Sequence, residues 1–306
     1  MIDRRNFLII FFLNLINLLI PRLSFSTNHK RIIKKNIPKT KETISPIGMG
    51  TWLTFDVLPL KQNIEHCSNI LNSFFHHQGQ MIDSSPMYGT AERIVGLSLQ
   101  NIKNKNNLFS ATKVWTPLKT HGEKQIQDSF NLWKINNFSL IQVHNLVNYK
   151  DHLQTLKKLK ENKKIKYLGV TTSHGSRHEE LIHIMKNEEI DFVQFTYNLI
   201  DDEAEKYLLP LANEKKIAVI INRPFQGGNL FNIVKNKKLP NWANDHQIVS
   251  WPDFFLKFII SHPSVTCAIP ATSKVEHMKE NMQSQYGELP DLKTRAKMKN
   301  FFKSLS

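Results

Sequence analysis

From residue 44 onward the chain keeps one rhythm of apolar and polar positions. Short apolar runs, rich in Ile and Val, stand at 47–49, 81–82, 108–112, 140–143, 167–170, 192–195, 217–221 and 265–269. Runs of this kind suit strands buried on both faces. Between them apolar residues recur at helical spacing, as in Ile64, Ile70, Leu71 and Phe74, or in Leu153, Leu156 and Leu159. The same spacing fills 180–185, 204–212, 254–260 and 275–282. Strand and helix alternating eight times call for a parallel sheet, and eight strands close into a (β/α)8 TIM barrel. No Pro/Gly-rich linker divides residues 27–306, so a single α/β domain is expected. Ahead of the barrel, 32–43 alternates apolar residues with Lys around Pro38, which predicts a small N-terminal hairpin or an edge strand.

The first 26 residues follow another pattern. A basic start at Arg4-Arg5 leads into an apolar run from Phe7 to Ile20, interrupted only by Asn14 and Asn17. Pro21-Arg22 break it, and Ser24-Phe25-Ser26 supplies a small-x-small site. This is the three-part layout of an export signal, and the run is short for a membrane span of about 20 residues. Asp3-Arg4-Arg5-Asn6-Phe7-Leu8 resembles a twin-arginine signal, which exports proteins already folded. The expected location is therefore periplasmic or membrane-attached, with the export machinery or a membrane as partner of 1–26. An uncleaved anchor and a cytoplasmic protein with a buried first helix are the alternatives.

Composition changes this picture little. The chain has 306 residues, 41% hydrophobic and 22% charged, which excludes a disordered chain. An excess of 41 Lys+Arg over 26 Asp+Glu gives a charge of +15, but the lysines are scattered over helix faces and loops. Solubility is the simpler reading, and no nucleic-acid partner is expected. Cys67 and Cys267 exclude a disulfide scaffold and read as small core side chains, with a bond between them left open. His76-His77 and His174/His178 lack Cys or carboxylates at ligand spacing, so no metal site is expected.

Barrel geometry locates the chemistry. Active sites of such barrels lie at the C-terminal ends of the strands. Those ends carry Asp83, Lys113, His144, Thr171-Thr172, Gln194, Asn222-Arg223 and Thr272–Lys274, with Tyr88 five residues beyond the aspartate. Three titratable groups on successive strand ends form an acid–base constellation. A phenol is a weak acid, but an adjacent ammonium favours phenolate, so Lys113, held by Asp83, is expected to lower the pKa of Tyr88. His144 can donate to the same carbonyl oxygen. Hydride must come from elsewhere, and a nicotinamide cofactor is the natural supplier.

These residues resemble the aldo-keto reductase family over 44–281. Gly48-Met49-Gly50-Thr51-Trp52 is similar to the family's opening motif, and the segment from Met81 through Asp83, Tyr88 and Gly89 to Glu92 is similar to its most specific signature. Ala111-Thr112-Lys113 and Gln142-Val143-His144-Asn145 match its Lys and His strands. The resemblance implies reduction of a small aldehyde or ketone, with Tyr88 as general acid, Lys113 and Asp83 tuning it, and His144 orienting the carbonyl. It also implies NADPH, with NADH possible, held across the barrel mouth. A cofactor-binding regulatory or redox-sensing subunit is the alternative.

By the same resemblance, Thr171, Thr172 and Gln194 would meet the nicotinamide and Arg223 the pyrophosphate. Thr272, Lys274, Glu280 and Asn281 would take the adenosine end. The family's usual aromatic after strand seven is replaced by Asn222, and its usual basic residues after strand eight by Ala271 and His277. Trp52, Phe55 and Trp115 are candidates for the substrate pocket. Asp56 reads as a pocket carboxylate or a solvated loop charge. The segment 232–238 reads as a solvated loop.

Overall fold

β1 (Lys35–Asn36) and β2 (Thr43–Ile44) pair antiparallel and form the hairpin that the alternation around Pro38 predicts. Then follow β3 (Met49–Gly50), α1 (Lys61–His76), β4 (Met81–Asp83), α2 (Ala91–Gln100), β5 (Phe109–Val114) and α3 (Lys119–Trp133). The next units are β6 (Phe138–His144), α4 (Tyr149–Glu161), β7 (Ile165–Thr171), α5 (His178–Asn187), β8 (Phe192–Thr196) and α6 (Leu208–Lys215). β9 (Ala218–Asn222), α7 (Asn229–Ile233), α8 (Trp251–Ile260), β10 (Cys267–Ala268), α9 (Val275–Gln283) and α10 (Leu292–Lys303) complete the chain. This computed structural model describes residues 32–105 and 107–305, and the proposed signal segment 1–26 lies outside the described residues.

The eight strands β3 to β10 are parallel and adjacent in chain order. Bridges between Ile47 and Ala268 and between Gly50 and Ala271 join the first strand to the last and close the barrel. At this seam the Gly48 and Gly50 amides donate to the carbonyls of Ala268 (2.8 Å) and Pro270 (3.1 Å). A Cβ on Gly50 would stand 3.0 Å from the Ile269 carbonyl oxygen, so the seam needs glycine. β3 and β10 are accordingly shorter than the apolar runs at 47–49 and 265–269 suggest. β5 and β6 run longer than theirs, because Lys113 and His144 are inward-facing strand residues that an apolar pattern does not count.

Period-two alternation sorts the side chains into two layers. Ile82, Ile141, Val143, Leu168, Val170, Val193, Phe195, Val219 and Ile221 face outward and pack with the helices. Met81, Phe109, Leu140, Tyr167, Phe192, Ile220 and Cys267 fill the lower barrel, where Ile37 and Ile44 of the hairpin join them. On the same inward parity, two or four residues further along each strand, the residues become polar: Asp83, Lys113, Gln142, His144, Thr171 and Gln194. The apolar plug thus forms the floor beneath a polar mouth. Both cysteines are buried and free.

The outer helices are amphipathic in the expected way: α1 buries Cys67, Ile70, Leu71 and Phe74 on one stripe. The terminal helix α10 buries Met298 and Phe302, and Asp291 caps it by accepting from the Thr294 amide at 2.7 Å. Its Arg295 donates to the Tyr197 hydroxyl at 2.6 Å and pairs with Glu205 at 3.0 Å, fixing the helix to the segment after β8. Among the described residues no helix is long and apolar enough to cross a membrane.

Candidate active site

The mouth is organised by one buried ion pair. Lys113 Nζ on β5 lies 2.5 Å from Asp83 Oδ2 on β4, and both side chains are at most 2% exposed. Lys113 also donates to the Ser84 carbonyl at 2.7 Å. Burial disfavours its ammonium, yet the opposing fields of Asp83 and Tyr88 outweigh burial and hold its pKa above the ordinary lysine value. Burial raises the Asp83 carboxyl, with Lys113 pulling against it. The lysine therefore keeps the proton at neutral pH.

Asp83 ends its strand, and the chain then turns so that Tyr88 comes back over the pair. The Tyr88 amide donates to the Ser85 carbonyl at 2.9 Å, and the Ala91 amide that starts α2 donates to the Tyr88 carbonyl at 3.0 Å. Asp56 ties this turn down, accepting from the Thr90 amide at 2.9 Å and the Thr90 hydroxyl at 3.0 Å. It is an exposed loop charge, as one of the two readings expects, and not a pocket carboxylate, and its hydrogen bonds anchor the tyrosine loop. Gly89 sits at φ +57 against that carboxylate, where a Cβ would come within 2.3 Å. Lys113 Nζ lies 5.1 Å from the centre of the Tyr88 ring.

The expected acidification of Tyr88 is corrected here. Burial raises its pKa above the ordinary phenol value, and the Lys113 charge and side-chain interaction offset only part of that. The desolvation of a phenolate in this mouth outweighs the ammonium, whose charge Asp83 already neutralises in part.

His144 ends β6 with its ring edge-on to Tyr88, the centroids 5.8 Å apart. Ser85 Oγ lies 2.9 Å from His144 Nδ1. Burial, reinforced by the Lys113 charge, lowers the His144 pKa to about 3, so the imidazole is neutral. The linkage has a definite sign: the unfolded chain binds this proton below the ordinary histidine value of 6.5, and the folded chain does not until about 3. Stability conferred by His144 is therefore complete above pH 6.5 and lost as pH falls below it, at about 1.4 kcal/mol per pH unit. Urea unfolding of wild type and His144→Gln between pH 7 and 5 should show the slope shallower by about one proton in the variant. Identical slopes would mean that His144 titrates normally in the fold.

A cavity of about 350 Å³ opens over these groups, lined by Trp52, Asp83, Met87, Tyr88, His144 and Thr171, with Gln194, Arg223 and the Gly227-Gly228 turn on the opposite side. A second cavity of about 620 Å³ adjoins it through Phe225, Phe231 and Ala271, and is lined by Thr272, Glu280, Asn281, Trp251 and the Lys237-Lys238 loop. The two together make an elongated trough suited to an extended dinucleotide. Its fit rests on two observations: the Nε of Arg223 is buried without a partner, and a Cβ at Gly228, φ +96, would meet nothing within 4 Å.

The predicted residues divide accordingly. Thr171, Gln194, Arg223, Thr272, Glu280 and Asn281 line the trough. Thr172 is buried behind it with its hydroxyl unpartnered, and Lys274 stands exposed at the start of α9, outside the trough wall. Trp52 lines the mouth, and Trp115 stands at the rim, its ring 6.5 Å from His144. Phe55 is a correction: it is 0% exposed and packs in the outer core, because the loop after β3 turns it away from the mouth. The sequence reading missed Phe231, on the short helix α7, and the Lys237-Lys238 edge of the trough, which belongs to the expected solvated loop 232–238 and is exposed there. Among the described residues no three His, Cys, Asp or Glu side chains converge as a metal site.

Comparisons with known proteins agree with this geometry. The sequence profile described as the aldo/keto reductase family matches residues 46–294. An uncharacterised oxidoreductase of Bacillus subtilis, YqkF, is 22% identical over 82% of this chain and 90% of its own. The aldo-keto reductase YhdN of the same organism is 26% identical over 61% of this chain and 60% of its own. Among solved structures, an aldo/keto reductase from Klebsiella pneumoniae in complex with NADP and acetate superposes with a TM-score of 0.73 at 20% identity, covering 89% of this chain and 96% of that one.

Proposed function

The chain belongs to the aldo/keto reductase family of oxidoreductases, and from that premise we propose that it reduces a small aldehyde or ketone to an alcohol with NADPH. The observation that carries the reading is the Asp83–Lys113 pair, buried at 2.5 Å beneath Tyr88 at the floor of the open cavity. NADPH, when bound, supplies the hydride. Thr171, Gln194 and Arg223 would hold it in the first cavity, and Thr272, Glu280 and Asn281 in the second.

The chain's own residues do the rest. A carbonyl oxygen entering between Tyr88 and His144 meets two hydrogen-bond donors as its negative charge grows. The Tyr88 hydroxyl, kept protonated by burial, gives its proton to that oxygen. The phenolate left behind is stabilised by the Lys113 ammonium, which Asp83 holds in place. Trp52 and Met87 keep the mouth apolar, which suits an uncharged and hydrophobic carbonyl compound. The intact donor set favours turnover over a regulatory, cofactor-binding role.

NADPH absorbance in the presence of 4-nitrobenzaldehyde tests this. The expected result is aldehyde-dependent loss of NADPH, faster at equal concentration than loss of NADH. Absence of turnover with aromatic and aliphatic aldehydes alike would sink the reading.

A further inference from the structure

We infer that Ser85 is a positioning residue that fixes the proton of His144 on Nε2, by donating its own hydroxyl proton to Nδ1. The inference rests on the reductase reading for its catalytic consequence, but its geometry stands alone. Ser85 is fully buried, with Oγ 2.9 Å from His144 Nδ1. The same Oγ accepts the Met87 amide at 3.2 Å. With that backbone donor on one side of the hydroxyl, the hydroxyl proton is free to point at the imidazole. In the opposite tautomer the oxygen could accept both N–H groups on its two lone pairs, but the serine proton would be buried with no acceptor among the hydrogen bonds of the described residues.

The choice of tautomer has a chemical consequence. The ring is neutral, and a neutral imidazole carries one donor and one acceptor. Which nitrogen holds the proton is set by the partner of the other. With Nδ1 taken by Ser85, Nε2–H is the donor left for a substrate carbonyl. In the other tautomer Nε2 would turn a lone pair toward a substrate oxygen and repel it.

Nitrogen-15 spectra of the labelled full chain, with the His144 signals assigned by their loss in His144→Gln, read the tautomer without turnover. Wild type should show Nδ1 unprotonated and Nε2 protonated. Ser85→Ala should show a mixture, with kcat for aldehyde reduction lowered about tenfold, the worth of one well-formed hydrogen bond. Ser85→Thr, which keeps the hydroxyl, should restore both readouts, an outcome that a packing role alone would not produce. An unchanged Nε2–H tautomer in Ser85→Ala would overturn the inference. A Ser85-dependent tautomer in a chain that reduces no carbonyl compound would uphold it and remove the reductase reading instead.

Discussion

Tyr88→Phe is expected to lower kcat for aldehyde reduction by about 10²–10⁴-fold, the range for loss of a general acid. The variant is conservative in packing. Its ring keeps the edge-on contact with His144 and the place 5.1 Å from the Lys113 ammonium, and only the hydroxyl is lost. NADPH affinity, read by quenching of tryptophan fluorescence, should change little, because Tyr88 borders the reacting end of the trough and not its length. The raised pKa of Tyr88 adds a directional expectation. The proton needed for reduction is present across the neutral range, whereas alcohol oxidation, which needs the phenolate, should rise toward alkaline pH. Equal rates of NADPH loss in wild type and Tyr88→Phe would remove Tyr88 from the acid's role.

Much of this was legible in the chain, for a physical reason. Strands buried on both faces leave uninterrupted Ile/Val runs, and eight of them separated by helical spacing admit few architectures. The acid–base residues were legible because barrel geometry gathers the strand ends, so Asp83, Lys113 and His144 need only lie at the right ends to meet. What a single strand end does not reveal is depth. Thr171 and Thr172 are neighbours, yet inward parity brings Thr171 into the trough and leaves Thr172 behind it.

Loops were harder to read, because their side chains are placed by distant partners. Phe55 follows the first strand as Trp52 does, but backbone bonds from its amide and that of Thr54 to the Thr51 carbonyl curl the loop and bury it. Lys237 and Lys238 reach the trough because α7 and the Trp251 indole, whose Nε1–H donates to the Lys237 carbonyl at 3.0 Å, fold their loop back. The acidity of Tyr88 failed for a third reason. Proximity to a lysine is visible in a motif, but the degree of burial that decides the sign of the shift is a property of the assembled mouth.

Asp83→Asn is expected to cost about 3–5 kcal/mol of unfolding free energy, because it leaves the Lys113 ammonium buried without its counter-charge. The partners left to that ammonium, the Ser84 carbonyl at 2.7 Å and the protonated Tyr88 side chain, carry no net charge, and no solvent reaches a side chain that is 0% exposed. The double variant Asp83→Asn/Lys113→Met removes both charges and should recover most of the loss, since replacing a whole buried pair is far cheaper than halving it. Activity should part company with stability here. In Asp83→Asn the ammonium loses the carboxylate that holds it in place, and in the double variant there is no ammonium at all, so the phenolate formed on proton transfer loses support and kcat should fall by at least about tenfold in each. Urea unfolding and aldehyde turnover on the same preparations separate the two roles of the pair. A wild-type unfolding midpoint in Asp83→Asn would show that the buried carboxyl is not ionised against Lys113. Recovery of turnover in the double variant would show that the ammonium does not support the acid.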